Sequence, residues 1–69
     1  MKISARNQLK GTVKMIKKGP VNTEVHVSIA GGNEVVSVIT TASAEKLKLV
    51  EGKEVYTIMK ASEVMIGID

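Results

Sequence analysis

Apolar and polar positions alternate with a period of two along most of this chain. From Leu9 to Lys17 one face would carry Leu9, Gly11, Val13, Met15 and Lys17, and the other Lys10, Thr12, Lys14 and Ile16. That period predicts a β-strand, because successive side chains of extended backbone point to opposite sides. Lys17-Lys18-Gly19-Pro20 ends it. Pro20 has no N–H for a ladder, so it belongs in a turn or at a strand start. Val21 to Ile29 predicts a second strand, with Val21, Thr23, Val25, Val27 and Ile29 alternating with Asn22, Glu24, His26 and Ser28. Ala30-Gly31-Gly32-Asn33 predicts a hairpin turn, since Gly and Asn tolerate positive φ. Glu34 to Ile39, rich in β-branched residues, predicts a third strand.

The period changes once. Thr40-Thr41-Ala42-Ser43-Ala44-Glu45-Lys46-Leu47 suits two turns of helix ending near Lys48, with Thr40 or Thr41 as the N-cap. A turn at Glu51-Gly52 follows. Glu54 to Met59 predicts a fourth strand, Ala61-Ser62-Glu63 a break, and Val64 to Ile68 a short fifth strand. Five strands with one short helix between the third and fourth is the element order of an all-β, OB-like Greek-key barrel. No linker or repeat divides the chain, so residues 1–69 are expected to form a single domain.

Composition narrows the functions open to that fold. A core built from 69 residues is small, and small domains usually gain stability from disulfides, metals or partner subunits. There is no cysteine, and a single histidine, His26, cannot build a zinc site. Self-association is left as the source of extra burial. No apolar run approaches the ~20 residues a membrane span needs. The opening Met1-Lys2-Ile3-Ser4 lacks a signal-peptide core, so a cytoplasmic location is expected. Catalysis is not expected: there is no nucleophile beside a base and an orienting group, and no phosphate-binding loop. The net charge of +3 suits an anionic partner. Single-stranded nucleic acid is the alternative partner for an OB-like barrel, but such binding relies on aromatic platforms. This chain has no Phe or Trp and one Tyr, Tyr56.

Three short stretches are rich in hydrogen-bond donors. Ser4-Ala5-Arg6-Asn7-Gln8 offers a hydroxyl, a guanidinium and two amides, and no carboxylate occurs before Glu24. Thr40-Thr41-Ala42-Ser43 places hydroxyls at the expected helix start. Lys60-Ala61-Ser62 joins a cation to a hydroxyl at a strand break. Taken singly, each has an ordinary explanation: a solvated lead-in, an N-cap, a surface lysine. Each also has the donors that a tetrahedral oxyanion needs, since its oxygens accept hydrogen bonds and donate none. Backbone N–H groups and one or two cations serve such a ligand well.

These stretches also carry a family resemblance. Ser4-Ala5-Arg6-Asn7-Gln8-Leu9-Lys10-Gly11 resembles the opening motif of the molbindin (Mop) family, Ile29-Ala30-Gly31-Gly32-Asn33 its central hairpin, and Lys60-Ala61-Ser62-Glu63-Val64-Met65 its closing motif. The resemblance spans essentially the whole chain. It implies an OB-like barrel assembled as a hexamer, a trimer of dimers, with molybdate or tungstate bound at subunit interfaces. Side chains would not coordinate the metal directly. Ser4, Ala5, Arg6 and Asn7 fall on the oxyanion-contacting positions of one subunit. Thr41, Ser43, Lys60, Ala61 and Ser62 fall on or beside those supplied by its neighbour, with Thr40 able to take the place of Thr41. The implied role is storage, buffering or homeostasis of the oxyanion. An oligomerisation module with vestigial sites would share the assembly but not the ligand.

Overall fold

Each predicted strand up to Met59 is present in the computed structural model, which describes all 69 residues. Strand β1 runs Asn7–Lys18, β2 Asn22–Ile29, β3 Glu34–Thr40 and β4 Glu54–Met59. Helix α1, Thr41–Lys46, joins β3 to β4. Single 3-10 turns occupy Ala30–Gly32 and Ala61–Glu63. The strands form one antiparallel sheet in the order β3-β2-β1-β4. Gly31 and Gly32 take φ of 83° and 78° in the β2–β3 turn, a region that favours glycine.

The expected alternation along β1 fails midway. Val13 pairs with Val27, but the next pair is Met15 with His26, so Lys14 is an extra residue in a bulge. The bulge reverses the phase of the strand. Val13 stays on the inner face, Ile16 joins it, and Met15, expected inside, is 42% exposed. Gly11 lies where β1 is flanked by both β2 and β4. A Cβ there would sit 2.5 Å from the Ser28 carbonyl oxygen and 2.6 Å from a Val27 methyl. The close approach of the backbones therefore requires glycine.

The core is small. Val13, Val25 and Val27 form its centre, with Ile16, Ile29, Ile39, Leu49 and Val55 packed around them. Burying each of these three valines contributes about 1.5–3 kcal/mol. Helix α1 covers one end through Ala44 and Thr41. Only seven of 69 residues are buried, so the isolated chain leaves much of its apolar surface uncovered.

The barrel expected from the sequence is not closed within one chain. Four strands form instead of five, and residues 64–69 adopt no strand. Met65, Ile66 and Ile68 are 92%, 89% and 96% exposed, so this tail has no surface of its own chain to pair with. The open inner face is an apolar trough of about 290 Å³, lined by residues that include Val25, Val35, Ile39, Leu49 and Val55. Both outer strands, β3 and β4, have one unpaired edge. No helix is long and apolar enough to cross a membrane.

Candidate functional site

The β1–β4 ladder decides where the donors meet. Asn7 pairs with Met59 at the end of the ladder. Residues just before β1 therefore lie beside residues just after β4. Ser4, Ala5, Arg6, Lys60 and Ala61 line one cleft of about 440 Å³, with Ile3 and Ile58 as its apolar walls. Asn7, at the head of the ladder, and Ser62, inside the 3-10 turn that begins at Ala61, stand next to the cleft without lining it.

The cleft is lined by uncommitted donors. Arg6 and Lys60 make no ion pair; the ion-paired cations are Lys10, Lys14, Lys18 and His26. The backbone N–H groups of Ser4, Ala5, Arg6, Ala61 and Ser62 have no acceptor in the chain. Glu63 N–H donates to the Lys60 carbonyl at 2.9 Å, closing the turn that presents Ala61 and Ser62. No carboxylate lines the cleft. Two cations and several free N–H groups, with no carboxylate in the lining, suit a ligand that only accepts hydrogen bonds.

Gln8, whose amide the sequence reading counted only as part of a donor-rich stretch, bonds within the chain. Its Nε2 donates to the Ala5 carbonyl at 2.6 Å and reaches the Ile3 carbonyl at 3.4 Å. The motif marked Gln8 as part of the stretch, but residue type alone could not say which acceptor its amide finds.

The helix start is a separate region, outside the cleft. Thr40 is the N-cap: its Oγ1 accepts from Ser43 N–H at 3.1 Å. The same hydroxyl donates to Ser43 Oγ at 2.8 Å. That leaves the Ser43 O–H free, because one hydroxyl donates once. Thr41, expected among the ligand contacts, has its hydroxyl engaged within the chain. It is buried, its hydroxyl donates to the Gly19 carbonyl at 2.7 Å, and it is joined to Thr23 Oγ1 at 2.8 Å. Thr40 and Ser43, both exposed, are the members of this stretch open to a neighbour.

His26 lies on the outer face of the sheet, away from both regions. Its Nε2 is 3.0 Å from Glu24 Oε1 and its Nδ1 meets Glu34. Glu34 also receives Lys14 Nζ at 3.2 Å. The hydrogen bond that the ring donates to Glu34, helped by Glu24, holds the imidazole above its ordinary value of 6.5. The His26 and Lys14 contacts hold the Glu34 carboxyl below the usual carboxylate range. No group of three or more His, Cys, Asp or Glu converges as a metal-ligand set.

Comparison with known proteins identifies the family. Residues 3–66 match the TOBE domain. A probable molybdenum-pterin-binding protein of Haemophilus influenzae is 52% identical over 69 residues, covering all of both chains. MopII from Clostridium pasteurianum, in an apo form, superposes with a TM-score of 0.93 at 49% identity, over 97% of this chain and 100% of that one. A molybdate-binding protein from Sporomusa ovata superposes at 0.91 with 41% identity, over 99% and 100%.

This chain belongs to the Mop, or molbindin, family. The Mop resemblance assigned the two donor segments to different subunits. In this structure Ser4–Arg6 and Lys60–Ala61 already share a cleft within one chain, because β1 and β4 are neighbours. Of the other expected contacts, Asn7 and Ser62 stand beside this cleft, and Thr40, Thr41 and Ser43 lie outside it.

Proposed function

We propose that this chain binds molybdate or tungstate in the cleft between Ser4–Arg6 and Lys60–Ser62. The observation that carries the reading is the pair of unpaired cations, Arg6 and Lys60, set among free N–H groups with no carboxylate. Arg6 and Lys60 supply charge. The Ser4 and Ser62 hydroxyls and the N–H groups of Ala5, Arg6, Ala61 and Ser62 supply shape, with Asn7 holding the ladder beside them. Phosphate is disfavoured because it carries a proton near neutral pH, which a donor-only site cannot accept. Sulfate has the same charge and acceptor pattern, so cavity size must discriminate against it. The names of the relatives, molybdenum-pterin-binding and molybdate-binding proteins, agree with this ligand class.

Assembly completes the site in this reading. A second copy brings Thr40 and Ser43 over the cleft, and the closed oligomer is a hexamer built as a trimer of dimers. Two features support association. The apolar trough lies open along the inner face, and the apolar tail after Val64 has no partner in its own chain. A tail from one copy laid along a free strand edge of another would cover both. Ligand held between copies stabilises the assembly by mass action. The role is then to store or buffer the oxyanion in the cytoplasm, with no reaction catalysed. Single-stranded nucleic acid fits less well, because Tyr56 is the one aromatic side chain available for stacking.

Calorimetric titration of anion-free protein with molybdate, tungstate and sulfate tests the ligand. Saturable heat with molybdate or tungstate, and weaker heat with sulfate, is expected. No heat with either metal oxyanion would overturn the reading. Sedimentation equilibrium tests the assembly, for which a monomer at all concentrations would be the contrary result.

A further inference from the structure

The loop that offers N–H groups to the cleft also carries carbonyls, and a carbonyl facing a dianion repels it. Peptide planarity links the two. In a trans peptide unit the C=O and the N–H point to opposite sides. A loop can therefore present its N–H groups only if the carbonyls of the same units are held away on the other side.

Gln8 holds them. The Ala5 carbonyl, 2.6 Å from Gln8 Nε2, shares its peptide unit with the Arg6 N–H. The Ile3 carbonyl, 3.4 Å from the same nitrogen, shares its unit with the Ser4 N–H. A carboxamide NH2 has two hydrogens and can serve two acceptors. The Arg6 and Ser4 N–H groups have no acceptor in the chain, and Gln8 itself does not line the cleft. The anchor is firm, because the Gln8 backbone is fixed in the ladder opposite Ile58.

We propose that Gln8 is a positioning residue for oxyanion binding. It binds no ligand. It turns two peptide units so that their donors, not their acceptors, face the cleft. The inference rests on the oxyanion reading above and names what sets the polarity of that site. The Arg6 unit, held by the shorter bond, depends on Gln8 more than the Ser4 unit does.

The test compares the wild-type chain with Gln8→Met, which keeps the length and removes the donor, and with Gln8→Ala. Molybdate affinity is measured by calorimetry, backbone amide shifts by NMR, and stability by thermal melting. Loss of an outer partner that orients a ligand group typically weakens binding by about tenfold or more. The expected result is about that loss in both variants with the melting temperature little changed, since the Gln8 side chain is exposed. At saturating molybdate the amide proton shift at Arg6 should shrink most and that at Ser4 less. Ala61, on the other wall, and Ser62 beside it should respond as in the wild type. Unchanged affinity in both variants would overturn the inference. So would an equal loss of response on both walls accompanied by a fall in melting temperature, which marks general unfolding. If the wild-type chain itself bound no molybdate, the oxyanion reading would fail and the role of Gln8 with it.

Discussion

The cleft and the helix start contain the same kinds of residue, yet the fold uses them in opposite ways. At the cleft, the Arg6 and Lys60 side chains and the surrounding N–H groups make no hydrogen bond or ion pair within the chain. At the helix start, Thr40 caps Ser43, and Thr41 is locked between Gly19 and Thr23. Donor-rich sequence is therefore not enough to mark a site. What separates the two regions is whether local backbone geometry supplies acceptors. A helix start brings the cap oxygen to the Ser43 N–H, and the β2–α1 packing brings Thr23 to Thr41. The segments flanking β1 and β4 leave regular structure just where their donors emerge, and no acceptor is within reach. One region leaves its cations and N–H groups without partners in the chain. The other is structural, with the Ser43 O–H as its residual donor.

Substitutions separate the two regions in order of expected effect. Arg6→Ala and Lys60→Ala should each weaken oxyanion binding by about 10- to 100-fold, since a hydrogen bond to a charged group contributes about 1.5–3 kcal/mol. Urea unfolding should hardly change, because neither side chain has a partner to lose; affinity equal to wild type in both would remove the cleft from the account. Thr41→Val should do the reverse. It strands the Thr23 hydroxyl and the Gly19 carbonyl beside a buried methyl, at about 1–3 kcal/mol of stability. Per-site affinity should hold, and a large loss of affinity in a still folded protein would return Thr41 to the site. Ser43→Ala should be milder than either, weakening binding several-fold at most, in line with about 0.5–1.5 kcal/mol for a neutral hydrogen bond. On the proposed assembly, in which Ser43 comes from another copy, that loss should vanish in any variant that stays monomeric.

The smallest effect concerns His26, which belongs to neither region. Its folded-state value is raised above the 6.5 of an unfolded chain, so its contribution is full below that pH and is lost as pH rises through the raised value. Glu34 is held low, so its contribution is full above its ordinary 4.5 and is lost as pH falls through the lowered value. Stability should therefore peak between about pH 4.5 and 6.5 and decline on the alkaline side. His26→Gln should flatten that alkaline decline in a pH series of denaturation curves while leaving oxyanion affinity at a fixed pH unchanged. A decline that survives the substitution would assign it to other groups.

Much of this was legible in the sequence, and the exceptions have physical causes. Period-two patterning located four strands, because each side chain's face is set by backbone geometry alone. It missed the bulge at Lys14, since one inserted residue leaves the local pattern intact and only shifts its phase. It assigned a strand to Val64–Ile68 because apolar, β-branched composition reports a need for burial without saying which chain provides it. The donor segments could be read as motifs. Their sharing of one cleft could not, because that follows from β1 pairing with β4 across about fifty residues of sequence. Thr40 and Thr41 look equivalent in the sequence. The helix start leaves Thr40 exposed and turns Thr41 inward, where Gly19 and Thr23 engage its hydroxyl.

The central claim is that the Arg6–Lys60 cleft holds the metal oxyanion. Anomalous diffraction at the molybdenum absorption edge, from crystals of the protein grown with molybdate, tests it most directly. The account expects a molybdenum peak within hydrogen-bonding distance, through its oxygens, of both Arg6 and Lys60, with Thr40 or Ser43 of a second copy facing it. A peak elsewhere, with Arg6 and Lys60 directed into bulk solvent, would contradict it.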